Sequence, residues 1–197
     1  MQALFLDRDG VINENRHDYV KSWQELQPIS GVFEALRCLT QAGWPIFVVT
    51  NQAAINHGRL SEVELVEIHK RLQALALRHG GVINDFRYCP HRPDEGCACR
   101  KPGSAMLTCL AQQYGLDLTR SYLIGDALTD IAAGKAVGCQ TILVRTGRGK
   151  EQLDLPAFAH WRPDYVATDL LAATDWILDP ANRSELARDI TRMRYAR

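Results

Sequence analysis

The sequence predicts an α/β fold built on a doubly wound parallel sheet, and three observations lead to that prediction. Short apolar runs alternate along the chain with segments of helical periodicity, as they do when helices connect parallel strands. The apolar runs are too short to be buried helices. Several of them end abruptly in polar residues, which is typical of strands at the ligand-binding edge of an open α/β sheet.

The first apolar run, Ala3 to Leu6, ends in Asp7-Arg8-Asp9-Gly10. We expect a buried strand with Asp7 and Asp9 pointing to the same side and Arg8 turned away, since side chains alternate along a strand. Two converging acids suit a hard divalent cation, or a nucleophile beside a general acid. The alternative is a strand that runs into an ordinary Asx turn. A calcium loop of the EF-hand kind is disfavoured, because the glycine comes too early and an apolar strand precedes it.

The remaining elements follow from apolar spacing and from capping and breaking residues. A polar loop over 13–28 is long for a connection between a strand and a helix. Ser61 and Glu64 form a capping box, and Gly80-Gly81 ends the helix that begins there. The predicted helices are 31–42, 62–79, 105–114, 130–136 and 169–178, and the further strands are 45–51, 82–88, 121–126, 140–144 and 163–167.

Length and charge limit the classes of protein to be considered. The 197 residues fit one domain, which we expect over 1–180, followed by a charged tail over 181–197. The formal net charge of zero gives no argument for nucleic acid or an acidic membrane as a partner. No apolar run could cross a bilayer and no secretory signal is recognisable, so a soluble, cytoplasmic protein is predicted; a monomer is expected only from the family resemblance described below.

Polar groups follow three predicted strands, and a pair of cations precedes the predicted helix start at Pro102. The carboxyl ends of neighbouring parallel strands share an edge, so these groups can meet there. Taken singly, each has an ordinary explanation as a polar strand end, a solvated lysine or a helix cap. Their joint order favours a functional site made of Asp7, Asp9, Thr50, Asn51, Arg100, Lys101, Asp126 and Asp130.

This set of motifs resembles the haloacid dehalogenase superfamily of phosphatases over roughly residues 2–150. The Asp-x-Asp-Gly motif at Asp7 is similar to the first family motif, Thr50-Asn51 to the second, and Lys101 to the third; Asp126 with Asp130 is similar to the fourth. The resemblance implies the Rossmann-like fold of that family and Mg²⁺-dependent hydrolysis of a phosphomonoester. No sizeable cap domain fits between the motifs, so loops and the substrate itself must close the site.

The resemblance also implies roles for the acidic residues. Asp7 would attack phosphorus and form an aspartyl-phosphate, which suits a carboxylate that is ionised at neutral pH. Asp9 would protonate the leaving alkoxide and then deprotonate the attacking water. Asp7, Asp126 and the backbone carbonyl of Asp9 would hold Mg²⁺, which prefers oxygen ligands in octahedral geometry.

The same resemblance implies roles for the phosphate-binding residues. Thr50 and the Asn51 backbone would donate hydrogen bonds to the phosphoryl group, and Lys101 would be its fixed cation. Asp130 would orient a metal-bound water or Lys101, unless it simply caps the helix that follows it. A non-catalytic zinc-stabilised module that binds phosphate is the alternative of another class. It is disfavoured because every expected catalytic side chain is present.

A second candidate metal site lies in the loop over 89–99. Its three thiolates and one imidazole suit a tetrahedral, closed and therefore structural zinc site. Separate buried thiols, or a disulfide, are the alternatives, although two cysteines one residue apart pair poorly. The predicted zinc ligands are Cys89, His91, Cys97 and Cys99. We expect Cys38, Cys109 and Cys139 in the core and His57, His69, His79 and His160 at the surface.

The Cys-x-His…Cys-x-Cys-Arg-Lys-Pro sequence resembles a branch of the superfamily that acts on sugar bisphosphates or histidinol phosphate. The resemblance implies substrate contacts from Asn15, Arg16, His17, Asp18, Tyr19, Thr50, Asn51, Gln52, Arg100 and Lys101. Cations outnumber acids around the presumed mouth, which favours a heptose bisphosphate over histidinol phosphate. That comparison sets Arg16, Arg59, Arg100, Arg145 and Arg148 against Glu14, Asp18 and Asp94. Ala53-Ala54 and Ala127 depart from the family pattern.

Overall fold

Six parallel strands form one sheet, in the order β3-β2-β1-β4-β5-β6, in the computed structural model, which describes residues 1–182. The strands are β1 (Leu4–Leu6), β2 (Ile46–Asn51), β3 (Asp85–Cys89), β4 (Tyr122–Gly125), β5 (Gln140–Val144) and β6 (Tyr165–Ala167). The α-helices of these residues are α1 (Val32–Gln41), α2 (Glu62–Arg78), α3 (Ala105–Tyr114), α4 (Leu128–Ala136), α5 (Gly149–Gln152) and α6 (Leu170–Leu178). The predicted doubly wound parallel sheet is therefore confirmed, and the predicted tail lies outside the described residues from position 183 onward.

Helices cover both faces of the sheet because the strand side chains are apolar on both sides. Leu4 and Leu6 of β1 belong to a core shared with α1, α2 and α6. Phe5, between them, belongs to a second core shared with α3. Continuous apolar strands of this kind are the mark of a parallel sheet buried on both faces. No helix among residues 1–182 is long and apolar enough to cross a membrane.

The strand order reverses at β1, which has β2 on one side and β4 on the other. Open α/β sheets bind ligands at such a switch point, outside the carboxyl ends of the strands. Leu6 of β1 pairs with Val48 of β2 and Ile124 of β4, so the three motif-bearing strands are immediate neighbours. The predicted convergence of their polar ends follows from this register.

Most element boundaries agree with the sequence patterns. The predicted capping box of α2 is present, with Ser61 and Glu64 bonding each other's backbone. The strand predicted from 82 begins only at Asp85. The helix predicted from Asp130 begins at Leu128, because the Asp130 carboxylate accepts a hydrogen bond from the Ala127 amide and caps the first turn.

Candidate active site

A cavity of about 980 Å³ opens at the carboxyl ends of β1, β2 and β4. Its wall includes the strand-end residues Asp7, Asp9, Thr50 and Asn51. The loop that carries the predicted zinc ligands closes one side, through Cys97, Arg92, Arg100 and Lys101, and the long loop after β1 closes another, through Glu14, Asn15, Arg16, His17 and Tyr19. The cavity therefore lies where the switch point of the sheet predicts a ligand site.

Lys101 lies at the base of this cavity, with its side chain only 2% exposed. Its Nζ is 3.0 Å from Asp7 Oδ1 and 2.5 Å from Asp130 Oδ1, and it donates a 2.7 Å hydrogen bond to the Val49 carbonyl. These three neighbours are all oxygen atoms of the protein itself. The cation is therefore fixed in place beside the two carboxylates.

Three buried carboxylates crowd around this one ammonium. Ligand oxygens of Asp7, Asp126 and Asp130 all lie within 4.8 Å of one another. Burial raises the pKa of Asp7 to about 6, against the lowering effect of Lys101. Burial likewise raises the pKa of Asp126 and of Asp130. Such a cluster has more negative charge than the buried cation can balance, which is the electrostatic condition for binding a divalent cation.

Asp126 is fully buried and held by backbone at close range. The Arg148 amide donates to Asp126 Oδ2 at 2.8 Å, and the Arg148 guanidinium lies 3.4 Å from Oδ1. A Cβ atom at Gly10, where φ is +89°, would overlap the Asp126 carboxylate, and so would one at Gly147. Thr146 Oγ1 also donates to the Gly10 carbonyl at 2.6 Å. Glycines thus form the cradle in which this carboxylate sits.

Asp9 departs from the expected arrangement. Its carboxylate turns toward Arg8, whose Nη2 lies 2.9 Å from Asp9 Oδ2, and not toward the Asp7 cluster. The prediction that Arg8 turns away is wrong, because β1 ends at Leu6 and strand alternation no longer applies. Burial raises the pKa of Asp9, but Arg8 and the amide of Asn13 more than offset this and hold the pKa below its usual value.

The side chains at the polar end of β2 lie either on the cavity wall or directly behind it. Thr50 and Asn51 line the cavity, whereas Gln52 is buried behind it and donates to Asp9 Oδ2 at 2.7 Å. The Asn51 amide group bonds both the N–H and the carbonyl of Lys101, at 3.0 and 3.1 Å. Ala53 lines the cavity as well, with a methyl group where a hydroxyl would add a donor.

The loop after β1 brings most of its predicted substrate contacts to the cavity. Asn15, Arg16, His17 and Tyr19 line it. Asp18 does not, because its carboxylate pairs with Arg16 and Lys21. Tyr19 has φ of +67°, an uncommon conformation for a residue with a side chain.

The charges that line the cavity differ from those inferred from the sequence. Arg59, Arg145 and Asp94 lie outside the wall, and Arg92 and Glu151 take part in it. Apart from the Asp7–Lys101–Asp130 cluster, four arginines face three carboxylates: Arg16, Arg92, Arg100 and Arg148 against Asp9, Glu14 and Glu151. The local balance is therefore positive.

The candidate zinc ligands meet in one cluster. Cys99 Sγ lies 3.3 Å from Cys89 Sγ, 3.5 Å from Cys97 Sγ and 3.4 Å from His91 Nδ1. Metal–ligand bonds of about 2.3 Å to sulfur and 2.1 Å to nitrogen would separate tetrahedral ligands by roughly 3.5 to 3.8 Å. The cysteines are free, so the disulfide alternative is not realised. The chemistry and the spacing of the donor set fit zinc.

The zinc-ligand cluster is coupled directly to the cavity. The Arg100 amide donates to Cys97 Sγ at 3.4 Å, and the Arg100 guanidinium donates to the His91 carbonyl at 3.1 Å. Burial opposes thiolate formation at Cys97, but hydrogen bonds from the Arg100 amide and Cys99 lower its pKa to about 7. These hydrogen bonds fix the position of Arg100 relative to the cysteines, and with it the path of the backbone to the next residue, Lys101.

Sequence reasoning missed several residues of this site. His69, expected at the surface, is only 5% exposed and contacts Arg8. Its position on the buried face of α2, three and four residues from Leu72 and Leu65, is the signal that places it inside. Cys109, expected in the core, is exposed, and Cys38 is half-buried, whereas Cys139 is buried as expected.

The site and the fold together indicate an enzyme. Four polar motifs converge at the switch point of a parallel sheet, where a fixed lysine lies beside buried carboxylates. Residues 98–173 match the model of a family described as HAD-hydrolase-like. The chain is 44% identical over 153 residues to D-glycero-beta-D-manno-heptose-1,7-bisphosphate 7-phosphatase of Pseudomonas aeruginosa, covering 78% of this chain and 86% of that protein. D-glycero-D-manno-heptose-1,7-bisphosphate 7-phosphatase of Thermosynechococcus vestitus is 39% identical, over 89% of this chain and 94% of its own.

Solved structures agree with the sequence comparisons. D,D-heptose 1,7-bisphosphate phosphatase from B. bronchiseptica, complexed with magnesium and phosphate, superposes with a TM-score of 0.83 at 36% identity, covering 90% of this chain and 98% of that chain. The corresponding phosphatase of Burkholderia thailandensis gives a TM-score of 0.68 at 30% identity, over 91% and 100% of the two chains. The chain therefore belongs to the haloacid dehalogenase-like hydrolases, in the family of these heptose-bisphosphate phosphatases. It is a phosphatase.

Proposed function

We propose that this phosphatase removes one phosphate from D-glycero-D-manno-heptose 1,7-bisphosphate through an aspartyl-phosphate at Asp7. The observation that supports this most directly is the Asp7–Lys101–Asp130 cluster at the base of a cavity whose other charges are mainly arginines. The relatives and a structural neighbour complexed with magnesium and phosphate support the substrate class.

The donor set at the strand ends fits Mg²⁺. Asp7 and Asp126 would hold the ion, since both are buried carboxylates whose pKa is raised and whose ligand oxygens lie within 4.8 Å of each other. Hard oxygen donors are the ligands that Mg²⁺ prefers. When bound, the ion would neutralise charge on the phosphoryl oxygens and on the two carboxylates. Asp130 remains the partner of Lys101.

In the first half of the reaction, Asp7 attacks phosphorus, so that a bond from its carboxylate oxygen forms as the bond to the sugar oxygen breaks. Asp9 must enter this step as the neutral carboxylic acid, although Arg8 and Asn13 hold its pKa low in the free site, and it gives its proton to that leaving oxygen. Lys101, held next to Asp7, reduces the repulsion between the anionic phosphate and the anionic nucleophile. Thr50 and the Asn51 backbone, on the cavity wall, are placed to donate to the phosphoryl oxygens.

In the second half, the Asp9 carboxylate takes a proton from water as the water oxygen attacks phosphorus. The bond between phosphorus and Asp7 then breaks, releasing inorganic phosphate and restoring both carboxyl groups. A group that serves as acid and then as base must return to its first protonation state in each turnover. Asp9 at the cavity wall, 22% exposed, is accessible to such exchange.

The preference for a bisphosphate over histidinol phosphate depends on the cavity's charge. Among the four arginines that line it, Arg100 is the one without a carboxylate partner within residues 1–182. An unpaired guanidinium is available to bind a second phosphate in bidentate fashion. Histidinol phosphate, with its amine and imidazole, would call for carboxylates at this position.

We also propose that residues 1–180 work as one domain and as a monomer, with zinc in the Cys89–Cys99 cluster serving structure. All strands of the described chain belong to one sheet, and the candidate catalytic cluster is assembled from the ends of its strands together with α4 and the cysteine loop. A closed four-ligand set leaves no open position for chemistry. Light scattering on a size-exclusion column tests the oligomeric state.

A phosphate-release assay with Mg²⁺ tests the proposed function. Heptose 1,7-bisphosphate, histidinol phosphate and p-nitrophenyl phosphate are compared for the wild type and for Asp7→Asn, an almost isosteric variant that lacks the nucleophilic anion. We expect the highest kcat/KM on the bisphosphate and no turnover by Asp7→Asn. Higher kcat/KM on histidinol phosphate would reject the substrate, and an active Asp7→Asn would reject the mechanism.

A further inference from the structure

Arg8 is the largest side chain that is fully buried in the described chain, with 0% exposure. A buried charge is costly unless it is paired and hydrogen-bonded. The pairing is with the next residue: Arg8 Nη2 lies 2.9 Å from Asp9 Oδ2 and 3.0 Å from Oδ1, and Nε lies 3.3 Å from Oδ1. Of the two aspartates that flank Arg8, its side chain therefore pairs with Asp9.

The other side of the guanidinium is held by two uncharged side chains. Arg8 Nη2 donates to Gln52 Oε1 at 3.2 Å, and Nη1 lies 3.3 Å from His69 Nε2. Since Arg8 can only donate, Nε2 accepts and the ring carries its proton on Nδ1. The His69 ring is stacked on Phe86, with 4.4 Å between centroids, which supports its position. The guanidinium is therefore hydrogen-bonded on both of its sides.

Asp9 is enclosed by the same group. Asn13 donates to its Oδ1 at 2.9 Å and Gln52 to its Oδ2 at 2.7 Å, and Gln52 also donates to Thr50 Oγ1 at 2.8 Å. The carboxylate is nevertheless 22% exposed on the cavity wall. One side of Asp9 thus faces the cavity, and the buried side is bonded by Arg8 and its neighbours.

We propose that Arg8, braced by His69 and Gln52, is a positioning residue that holds the Asp9 carboxyl group where it exchanges a proton with the leaving oxygen. This inference depends on the proposed function, in which Asp9 is the general acid and base. Arg8 touches no reacting atom in this scheme. It acts through Asp9, because a planar fork that bonds both carboxylate oxygens fixes the rotation of that group.

The proposal predicts a dependence on the leaving group. The sugar oxygen of the heptose leaves as an alkoxide and needs the proton from Asp9, whereas p-nitrophenolate is stable enough to leave without one. Loss of Arg8 should therefore reduce kcat on the bisphosphate about 10- to 100-fold, the range known for groups that orient catalytic ligands. The kcat on p-nitrophenyl phosphate should fall by less than about 3-fold, because general acid catalysis contributes little there.

The experiment compares Arg8→Met, Arg8→Lys, Asp9→Asn and the double variant Arg8→Met/Asp9→Asn on both substrates. If Arg8 acts through Asp9, the double variant is no slower on the bisphosphate than Asp9→Asn alone, because residues that work as a unit are non-additive. Arg8→Lys, which keeps the charge but loses the fork, should fall between the wild type and Arg8→Met. Should Arg8→Met fail to fold, Arg8→Lys decides the question by the same comparison.

Leu110→Ala supplies the structural control, since Leu110 is fully buried in the other core, on the opposite face of the sheet. It should lower the stability and reduce both activities equally, if at all. Equal losses on both substrates for the Arg8 variants, additive losses in the double variant, or a gain in turnover would overturn the inference while the proposed function stands. An active Asp7→Asn would remove the proposed function and this inference with it.

Discussion

The Asn51 side chain makes a reciprocal pair of hydrogen bonds with the backbone of Lys101, fifty residues further along the chain. Asn51 ends β2, and Lys101 leaves the loop that carries the cysteines. A side-chain amide that bonds both an N–H and a carbonyl fixes the peptide in position and in direction. The position of the buried ammonium beside Asp7 is therefore set from the sheet as well as from the loop.

Asn51→Ala should reduce kcat about 10- to 100-fold with a smaller effect on KM, because Lys101 loses its anchor while the other lining residues of the cavity are unchanged. Steady-state kinetics of phosphate release measures this. Asn56→Ala is the matched control: Asn56 also donates to the cysteine loop, at Glu95, but at the exposed surface. Equal losses for the two variants would contradict the anchoring role.

Gly10→Ala should abolish Mg²⁺ binding, because the added Cβ would displace the Asp126 carboxylate. Gly43→Ala is the control, since Gly43 has a similar φ of +78° but no atom within 4 Å of the place its new methyl group would occupy. Both variants bear the strain of a left-handed residue, about 1 to 2 kcal/mol. Isothermal titration with Mg²⁺ should distinguish the two variants. Unchanged Mg²⁺ affinity in Gly10→Ala would contradict the role of Gly10 in making room for the Asp126 carboxylate.

Cys97→Ser should lose zinc, about one ion per chain in the wild type, and at least 10-fold in activity. The physical reason is the Arg100 amide, which donates to Cys97 Sγ and ties the candidate zinc-ligand cluster to the cavity. Elemental analysis and phosphate release are measured on the same sample. Cys109→Ser, at an exposed position outside the cluster, should change neither quantity. A fully active, zinc-free protein would exclude the structural role.

Arg100→Ala should raise KM for the heptose bisphosphate about 10-fold or more and leave KM for p-nitrophenyl phosphate nearly unchanged, since only the larger substrate has a second phosphate. Arg71→Ala is the control, because Arg71 is a surface residue of α2 that pairs with Glu67. Equal effects of Arg100→Ala on both substrates would place Arg100 at the transferred phosphate instead.

His69 makes the stability of the fold depend on pH. Burial and the Arg8 cation lower its pKa from 6.5 to about 3, so between these values the unfolded chain binds a proton that the folded chain excludes. The free energy of unfolding therefore falls as the pH drops below 6.5, by up to about 1.4 kcal/mol per pH unit from this group. Denaturant unfolding at pH 7 and pH 5 should show a smaller loss in His69→Gln. Equal losses would mean that His69 is protonated in the fold.

The sequence specified the sheet and the catalytic cluster through patterns that are local. Each motif lies at the end of an apolar run, so its place in the chain fixes its edge of the sheet, and parallel pairing brings Asp7, Thr50 and Asp126 together. The cysteine loop was equally local, since its four ligands fall within eleven residues.

The orientation of Asp9 could not be obtained in that way. It depends on where β1 stops and on Arg8 meeting His69, which is 61 residues away. An arginine is expected to face solvent unless buried partners for it are known, because buried arginines are rare without them. The roles of Thr146, Gly147 and Arg148 were hidden for the same reason, because β5 and the loop after it carry no motif that points to Asp126.

The bond from Thr146 Oγ1 to the Gly10 carbonyl has a consequence for biosynthesis. It spans 136 residues, so the turn after the first strand is held by the loop after β5, with α5, β6 and α6 still to follow in the described chain. A chain emerging from the ribosome carries Asp7 and Lys101 well before this hydrogen bond can form, whereas Asp126 precedes Thr146 by only twenty residues. Because contacts of such long range form late, the nascent polypeptide acquires candidate catalytic residues before the loop that holds the Asp126 carboxylate in place.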